Sequence, residues 1–255
     1  MEIEHIKNNF IKYTENYEAS GRITLKKEHI LRVADNCVDI AKSIGLEEKL
    51  INLAYVVGIC HDIGRFEQVR MYNTFSDAKT GMDHAAHSNK VLFEDNLIRQ
   101  FIEDDTYDEI IKKAVFNHNK GSIEENLTDD ELLFAKIIRD ADKLDILRVI
   151  TIDRVKDIFW FEEFNGEMIN KKFVQKFYSK EKLDYKEFDS NIDLIIAYYE
   201  YIYDLNFKES YRKILEGNYY EKFNNRIKIL YNSKELDQQL DYLLEHTTDY
   251  LKRNV

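Results

Sequence analysis

An apolar residue recurs every three or four positions along almost the whole of this 255-residue chain, and the chain contains no proline. Residues with that spacing lie on the same face of a helix, so the pattern predicts amphipathic helices. Average usage would give about a dozen prolines in such a chain. Because no proline removes a backbone hydrogen bond, long helices meet no forced interruption. The sequence therefore predicts an all-α fold.

The coarse order of helices and loops can be read from the same pattern. Residues 50–60 are apolar on almost every side, which indicates a helix buried in the centre of the domain. A loop rich in Gly, Asn, Asp, Ser and Thr is predicted at 71–82, followed by a helix that begins near Asp83. Aromatic residues cluster at Phe159, Trp160, Phe161 and Phe164, and 164–172 reads as a short hairpin or a loop. Helical patterns return at 192–203 and 236–244.

Six residues of metal-binding type follow or begin these apolar stripes. They are His29, His61, Asp62, His84, His118 and Asp142. A lone core histidine is more often hydrogen-bonded structure than a ligand. A buried imidazole or carboxylate is costly unless it is paired or metal-bound, however, so several helices carrying such groups inward indicate a shared metal. Adjacent helical residues diverge by about 100°, so the pair 61–62 could serve two neighbouring metals with Asp62 as the bridge.

Two of these positions have competitors nearby. His84 and His87 are three residues apart on one predicted helix, and both could face inward. Asp140 competes with Asp142 within the sequence RDAD, and Asp140 could instead lie on the helix surface or support the ligands. Helical spacing alone leaves both pairs open.

The order His, His-Asp, His, His, Asp, with HDIGR at 61–65 and IRDADKLDIL at 138–147, resembles the HD-domain superfamily of metal-dependent phosphohydrolases. The resemblance covers residues 25–150, about half of the chain. It implies an HD-domain helical bundle with additional C-terminal helices packed on it. We expect a single all-α domain over 1–255, with the metal-binding core at 25–150 and a helical extension at 151–255.

The resemblance also assigns the ligands. It implies one divalent ion held by His29, His61, Asp62 and Asp142, and a second held by Asp62, His84 and His118. Ser88 is the small residue expected four positions after the ligand, which favours His84 over His87. The Ala-Asp before a Lys favours Asp142 over Asp140. Nitrogen and oxygen ligands without thiolate are typical of an open catalytic site for Mn, Fe, Co, Ni, Mg or Zn.

The implied reaction is cleavage of a phosphate ester or anhydride of a small nucleotide-like substrate by metal-activated water, as a phosphomonoesterase or phosphodiesterase. The predicted catalytic residues are Asp62, Arg65 and Lys120. Arg65 stands where related proteins carry a cation that meets the substrate phosphate, although it could instead form a salt bridge that caps a helix. Lys120 lies in the turn after His118. A di-iron oxygenase and a non-catalytic nucleotide sensor are the alternative functions.

Composition limits the partners. A net charge of -11 argues against a nucleic-acid polymer, but a small anion can still bind at a metal. Two divalent ions, two aspartates and a hydroxide would leave about one positive charge. The longest apolar run is too short to span a bilayer, and no secretory signal is evident, so we expect a cytoplasmic protein without membrane contact. Cys37 and Cys60 are predicted to be reduced core residues, and the oligomeric state is left open.

Overall fold

The computed structural model describes residues 2–153, 165–231 and 233–255. Within these residues the chain forms helices and no strand, which confirms the all-α prediction. The predicted aromatic cluster of Phe159, Trp160, Phe161 and Phe164 lies outside the described residues. The chain divides into two compact units, Met1–Asp145 and Ile146–Val255. Among the described residues, no helix combines the length and apolar character needed to cross a membrane.

The first unit is built from helices of very different lengths. They are α1 (Ile3–Thr14), α2 (Gly21–Ser43), α3 (Glu48–Cys60), α4 (Gly64–Tyr72), α5 (Asp77–Thr80), α6 (His84–Asn89), a π-helical turn (Lys90–Glu94), a 3-10 turn (Leu97–Gln100), α7 (Asp108–Asn117) and α8 (Asp129–Ile152), which continues into the second unit. The predicted helix start near Asp83 is confirmed, because the Asp83 side chain accepts hydrogen bonds from the first turn of α6.

Helix α3 forms the centre of the first unit, as its apolar sequence predicts. Every residue from Leu53 to Cys60 is buried. The helix packs on α2 at a glycine, since a Cβ atom added to Gly58 would lie 2.5 Å from the Ala34 Cα. This close approach holds the end of α3, and therefore the His61–Asp62 pair that follows it, against α2. Cys37 and Cys60, on these two helices, are buried free thiols.

The ends of α7 and α8 are also tied together. Arg139 of α8 is buried and donates hydrogen bonds to the carbonyl oxygens of Asn117, at 2.8 Å, and Lys120. These carbonyls stand at the end of α7, on either side of His118. The bonds satisfy helix-end carbonyls that have no partner within the helix and fix His118 relative to α8.

The described residues of the second unit form five further α-helices. They are α9 (Lys171–Ser179), α10 (Leu194–Glu200), α11 (Lys208–Gly217), α12 (Tyr219–Leu230) and α13 (Lys234–Asn254), with 3-10 turns at Tyr185–Glu187, Asn191–Asp193 and Tyr201–Asp204. Its core combines aliphatic and aromatic side chains, and Tyr199 stacks on Tyr220 with ring centroids 5.1 Å apart. Residues 165–170 form an irregular segment before α9, so the described part of 164–172 agrees with the loop alternative.

Candidate metal centre

The structure brings His29, His61 and Asp142 together from three parts of the chain. His29 lies on α2, His61 directly follows α3, and Asp142 lies on α8. The Asp142 Oδ1 atom is 3.1 Å from His29 Nε2 and 3.8 Å from His61 Nε2. Their candidate ligand atoms all lie within 4.8 Å of one another. These three residues form the first group of a candidate metal centre.

Asp62, His84 and His118 form a second group beside the first. His84 begins α6 and His118 directly follows α7. Their Nε2 atoms are 3.1 Å apart, and the Asp62 Oδ1 atom lies 3.5 Å from His84 Nε2 and 3.6 Å from His118 Nε2. Two ligands about 2.1 Å from one ion, at tetrahedral or octahedral angles, would be about 3.0 to 3.4 Å apart. The spacing within this group is close to that range.

Asp62 faces both groups with different oxygens. Its Oδ1 atom points to the second group, whereas Oδ2 lies 3.5 Å from His61 Nε2 and 3.9 Å from His29 Nε2. The carboxylate therefore stands between the groups, with a nitrogen atom of each of the four histidines within 3.9 Å of one of its oxygens.

Two atoms in this centre are buried without a hydrogen-bond partner among the described residues. They are His61 Nε2 and Asp62 Oδ1. A buried polar atom that has lost water and gained no partner is destabilising, so such atoms in native proteins need an explanation. A divalent cation in the first group would supply the missing partner to His61 Nε2, and one in the second group would supply it to Asp62 Oδ1. The donor set of imidazole nitrogens and carboxylate oxygens thus fits a metal ion.

Each of the four histidines directs Nδ1 away from the centre and Nε2 into it. The Nδ1 acceptors are Asp145 Oδ2 for His29 (2.7 Å), Gly58 O for His61 (2.7 Å), Asp77 Oδ2 for His84 (2.5 Å) and Val115 O for His118 (2.6 Å). An imidazole that donates from Nδ1 carries its lone pair on Nε2. Such outer hydrogen bonds orient metal-binding histidines and raise their basicity.

A family model for the HD domain matches residues 27–147, just under half of the chain, and this range includes all six residues of the centre. This segment is an HD domain. The match confirms the resemblance drawn from the motifs, and the HD-domain family consists mostly of metal-dependent hydrolases. No curated protein and no solved structure shows significant similarity to the chain.

The electrostatics of the HD-domain centre favour ionised carboxylates beside two histidines that are readily neutral. Burial lowers the pKa of His61, and it lowers that of His84 to about 4. Burial alone would raise the pKa of Asp62, but Lys26 and His61 more than offset this and bring it well below the usual range. His29 differs, because hydrogen bonds to aspartates outweigh burial and raise its pKa. The protonated form of His29 would have to lose its Nε2 proton before a metal could bind there.

The structure distinguishes His84 from His87, and Asp142 from Asp140, by what surrounds each side chain. His84 belongs to the second group, whereas the His87 Nε2 atom lies 2.9 Å from the Glu67 carboxylate and outside both groups. Asp142 belongs to the first group. Asp140 is fully buried, so a position on the helix surface is wrong, and it is in neither group.

Arg65 lies at the edge of the HD-domain centre, on the side of the second group. Its Nε atom is 3.5 Å from Asp62 Oδ1, and Nη1 donates to Asp77 Oδ1 at 2.8 Å. Gln68 Oε1, at 2.6 Å, and the Phe75 carbonyl accept from the same Nη1. Arg65 stands in the first turn of α4, so it does not cap the C-terminal end of a helix.

Lys120 is directed elsewhere. Its ammonium group pairs with Asp83, the N-cap residue of α6, and lies 4.5 Å from the ring centroid of Phe116. Among the contacts of the described residues, Lys120 touches none of the six residues of the centre.

Two contributors were not predicted from the sequence. Lys26 donates to Asp62 Oδ2 at 2.6 Å, and Asp77 joins His84 to Arg65. Lys26 stands three residues before His29, on the same helical face, which is the signal that could have found it.

Asp145, three residues after Asp142, accepts from both His29 and Arg32, so it supports the first group from α8.

Proposed function

We propose that this HD domain is a metal-dependent phosphohydrolase that cleaves a phosphate ester or anhydride of a small nucleotide-like substrate. The observation that supports this most strongly is the Asp62 carboxylate, which faces His29 and His61 with one oxygen and His84 and His118 with the other. A carboxylate in this position is suited to bridge two cations. Paired cations are typical of enzymes that catalyse in-line displacement at phosphorus.

We assign the ligands in two sets that share Asp62. One set is His29, His61, Asp62 and Asp142, and the other is Asp62, His84 and His118. When bound there, divalent ions would polarise a phosphoryl oxygen and lower the pKa of a water molecule. Neutral histidines add no charge, and the two aspartates offset only part of the charge of two divalent ions. The site would therefore stay positive enough to attract a phosphate.

Arg65 is the residue of the chain best suited to hold that phosphate. Its Nε atom is buried and has no hydrogen-bond partner among the described residues, although it lies beside the centre. Its Nη1 atom is held by Gln68 and Asp77, which fix the direction of the guanidinium. A planar guanidinium that is already oriented loses little entropy when it binds an anion. Lys120 is the weaker candidate because its ammonium group is paired with Asp83 and, among the contacts of the described residues, meets none of the six residues of the centre.

The test is a screen of phosphate esters and anhydrides with the full chain loaded in turn with Mn²⁺, Mg²⁺, Co²⁺, Zn²⁺, Ni²⁺ or Fe²⁺. We expect release of inorganic phosphate or a nucleotide by the wild type, and loss of both metal and activity in Asp62→Ala. Three outcomes would contradict the proposal. These are full turnover by Asp62→Ala, oxygen uptake by iron-loaded protein without phosphate release, and nucleotide binding without turnover under every metal.

A further inference from the structure

Lys26 is a mostly buried cation that touches the centre and has no role in the function proposed above. Its side chain is 12% exposed, and its Nζ atom donates to Asp62 Oδ2 at 2.6 Å. The same oxygen faces His61 Nε2 and His29 Nε2. The ammonium group therefore uses the oxygen that a cation bound by His29 and His61 would also use.

Arg65 approaches the same carboxylate from its other oxygen. The Arg65 Nε atom is 3.5 Å from Asp62 Oδ1. Both cations also lie near one aromatic ring, since the Phe75 ring centroid is 5.3 Å from Lys26 Nζ and 6.0 Å from Arg65 Cζ. Lys26 comes from α2, Arg65 from α4 and Phe75 from the segment between α4 and α5. Two cations thus flank Asp62, with a half-buried ring beside both of them.

An ion on Asp62 Oδ2 would change the surroundings of Lys26. A divalent cation and an ammonium group that share one oxygen repel each other, and the carboxylate has only one negative charge to offer. Lys26 has a flexible four-carbon stem, so its ammonium group can move away without a change in the helix. A mostly buried ammonium group still requires an anionic partner. A substrate phosphate bound at the ions would be that partner.

The charge balance indicates which phosphate fits. The ions, Asp62, Asp142 and a hydroxide leave about one positive charge. Lys26 and Arg65 add two positive charges, and Asp77, which pairs with Arg65, removes one. About two positive charges then face the substrate. A phosphomonoester carries about two negative charges above its second pKa, near 6, whereas a phosphodiester carries one.

We propose that Lys26 binds a substrate phosphate oxygen in the metal-loaded protein and, together with Arg65, makes the site selective for phosphomonoester dianions. This inference rests on the proposed function, because it assigns a substrate class to the same site. Lys27 supplies a matched control. It is the next residue on α2, about 100° around the helix axis, and like Lys26 it is partly exposed.

The experiment compares wild type, Lys26→Met and Lys27→Met as full-length proteins loaded with Mn²⁺ at pH 8. Inorganic phosphate binding is measured by calorimetry, metal content by mass spectrometry, and hydrolysis with p-nitrophenyl phosphate and bis(p-nitrophenyl) phosphate. In Lys26→Met we expect phosphate affinity and monoester kcat/KM to fall about 10- to 100-fold, as for the loss of a charged hydrogen bond. We expect diester kcat/KM to fall less than monoester kcat/KM, because a diester carries one negative charge fewer, and metal content to change less than about threefold. Lys27→Met should match the wild type, and Lys26→Arg should retain most of the phosphate affinity.

Several results would overturn the inference. Unchanged phosphate affinity in Lys26→Met would do so. If metal affinity rose at the same time, Lys26 would be a group that competes with the metal ion for Asp62. Metal loss in Lys26→Met, with failure of Lys26→Arg to restore phosphate binding, would make Lys26 a structural group. If the wild type hydrolyses no ester but binds phosphate through Lys26, the proposed function fails and the phosphate site stands. If the wild type binds no phosphate, both fail.

Discussion

His84 and His87 differ in what each ring contacts, although they stand three residues apart. The His84 Nε2 atom lies 3.1 Å from His118 Nε2, whereas the His87 Nε2 atom lies 2.9 Å from Glu67 Oε2. Helical spacing allowed both rings to face inward and the position of Ser88 favoured His84 as the ligand, and the partner atoms now separate the two rings. A ring that faces Glu67 is held by an ion pair or hydrogen bond at the edge of the core.

We therefore predict that His84→Ala loses about one of two bound ions, because it removes one of the three ligands in the second group. His87→Ala, the matched control, should keep both ions, since it removes only the contact with Glu67. Metal content of the purified variants, measured by mass spectrometry, checks this. Normal metal content in His84→Ala together with loss in His87→Ala would show that the assignment is reversed.

Asp77 connects His84 and Arg65 through its two carboxylate oxygens. One accepts from His84 Nδ1 and the other from Arg65 Nη1, and the interaction with His84 is the main reason that its pKa falls, against the effect of burial, to about 2. Outer partners of this kind typically change metal affinity about 10- to 100-fold. We predict that Asp77→Ala weakens the second metal site by about that factor and leaves the first site unchanged.

Titration of the metal-free protein with Mn²⁺ by calorimetry would resolve the two affinities. Glu67→Ala is a suitable control because Glu67 contacts His87 and Arg70 and does not contact the six ligands among the described residues. Two unchanged affinities in Asp77→Ala would contradict the role of Asp77 in orienting His84.

At the residue scale, the sequence identified the six candidate ligands because most of them continue an apolar stripe that a helix must bury. Lys26 and Asp77 were missed for physical reasons. The spacing of Lys26 to His29 indicates its helical face but not its partner, which is 36 positions away, and Asp77 lies in a segment without any helical period. Contacts between a charged side chain and a distant element depend on packing, which spacing along the chain does not encode.

At the scale of elements, the long helices were predictable from the sequence and the four-residue helix α5 was not. The apolar segment at 50–60 falls in the buried helix α3, as expected. The segment at 71–82, predicted as a loop, contains the last residues of α4 and the four-residue helix α5. A helix of one turn is too short to display a period, and its residues are those that also favour turns. The segment nevertheless carries Phe75 and Asp77 to the centre.

The contact of α3 with α2 gives a prediction about stability. A Cβ atom on Gly58 would meet the backbone of Ala34, so Gly58→Ala must force the two helices apart. Alanine favours a helix by up to about 1 kcal/mol over glycine, but overpacking typically costs about 1 to 3 kcal/mol. We expect a net loss of about 1 to 2 kcal/mol.

Thermal unfolding followed by circular dichroism would detect this loss as a lower Tm for Gly58→Ala. Metal affinity should fall as well, because His61 donates to the Gly58 carbonyl and directly follows α3. An equal or higher Tm would show that α2 and α3 separate without cost, which the 2.5 Å approach argues against.

At the scale of the molecule, the six candidate ligands come from five separate parts of the sequence but belong to one compact unit. All of them lie within Met1–Asp145, on or next to helices α2, α3, α6, α7 and α8. Metal binding at these residues would therefore require the native arrangement of the helices, which the unfolded chain lacks. The second unit, Ile146–Val255, supplies none of the six.

We predict that metal ions stabilise the first unit selectively. A ligand that binds only the folded state at about 1,000 times its Kd contributes about 4 kcal/mol, so opening of the helices that carry the ligands should become much rarer. Hydrogen exchange with and without Mn²⁺ should show slower exchange in peptides from α2, α3, α7 and the part of α8 that ends at Asp145, and little change in α11 to α13. Asp62→Ala should abolish the difference. Equal protection of α11 to α13 would indicate that the two units open together, and no protection anywhere would show that the six residues do not bind the ion.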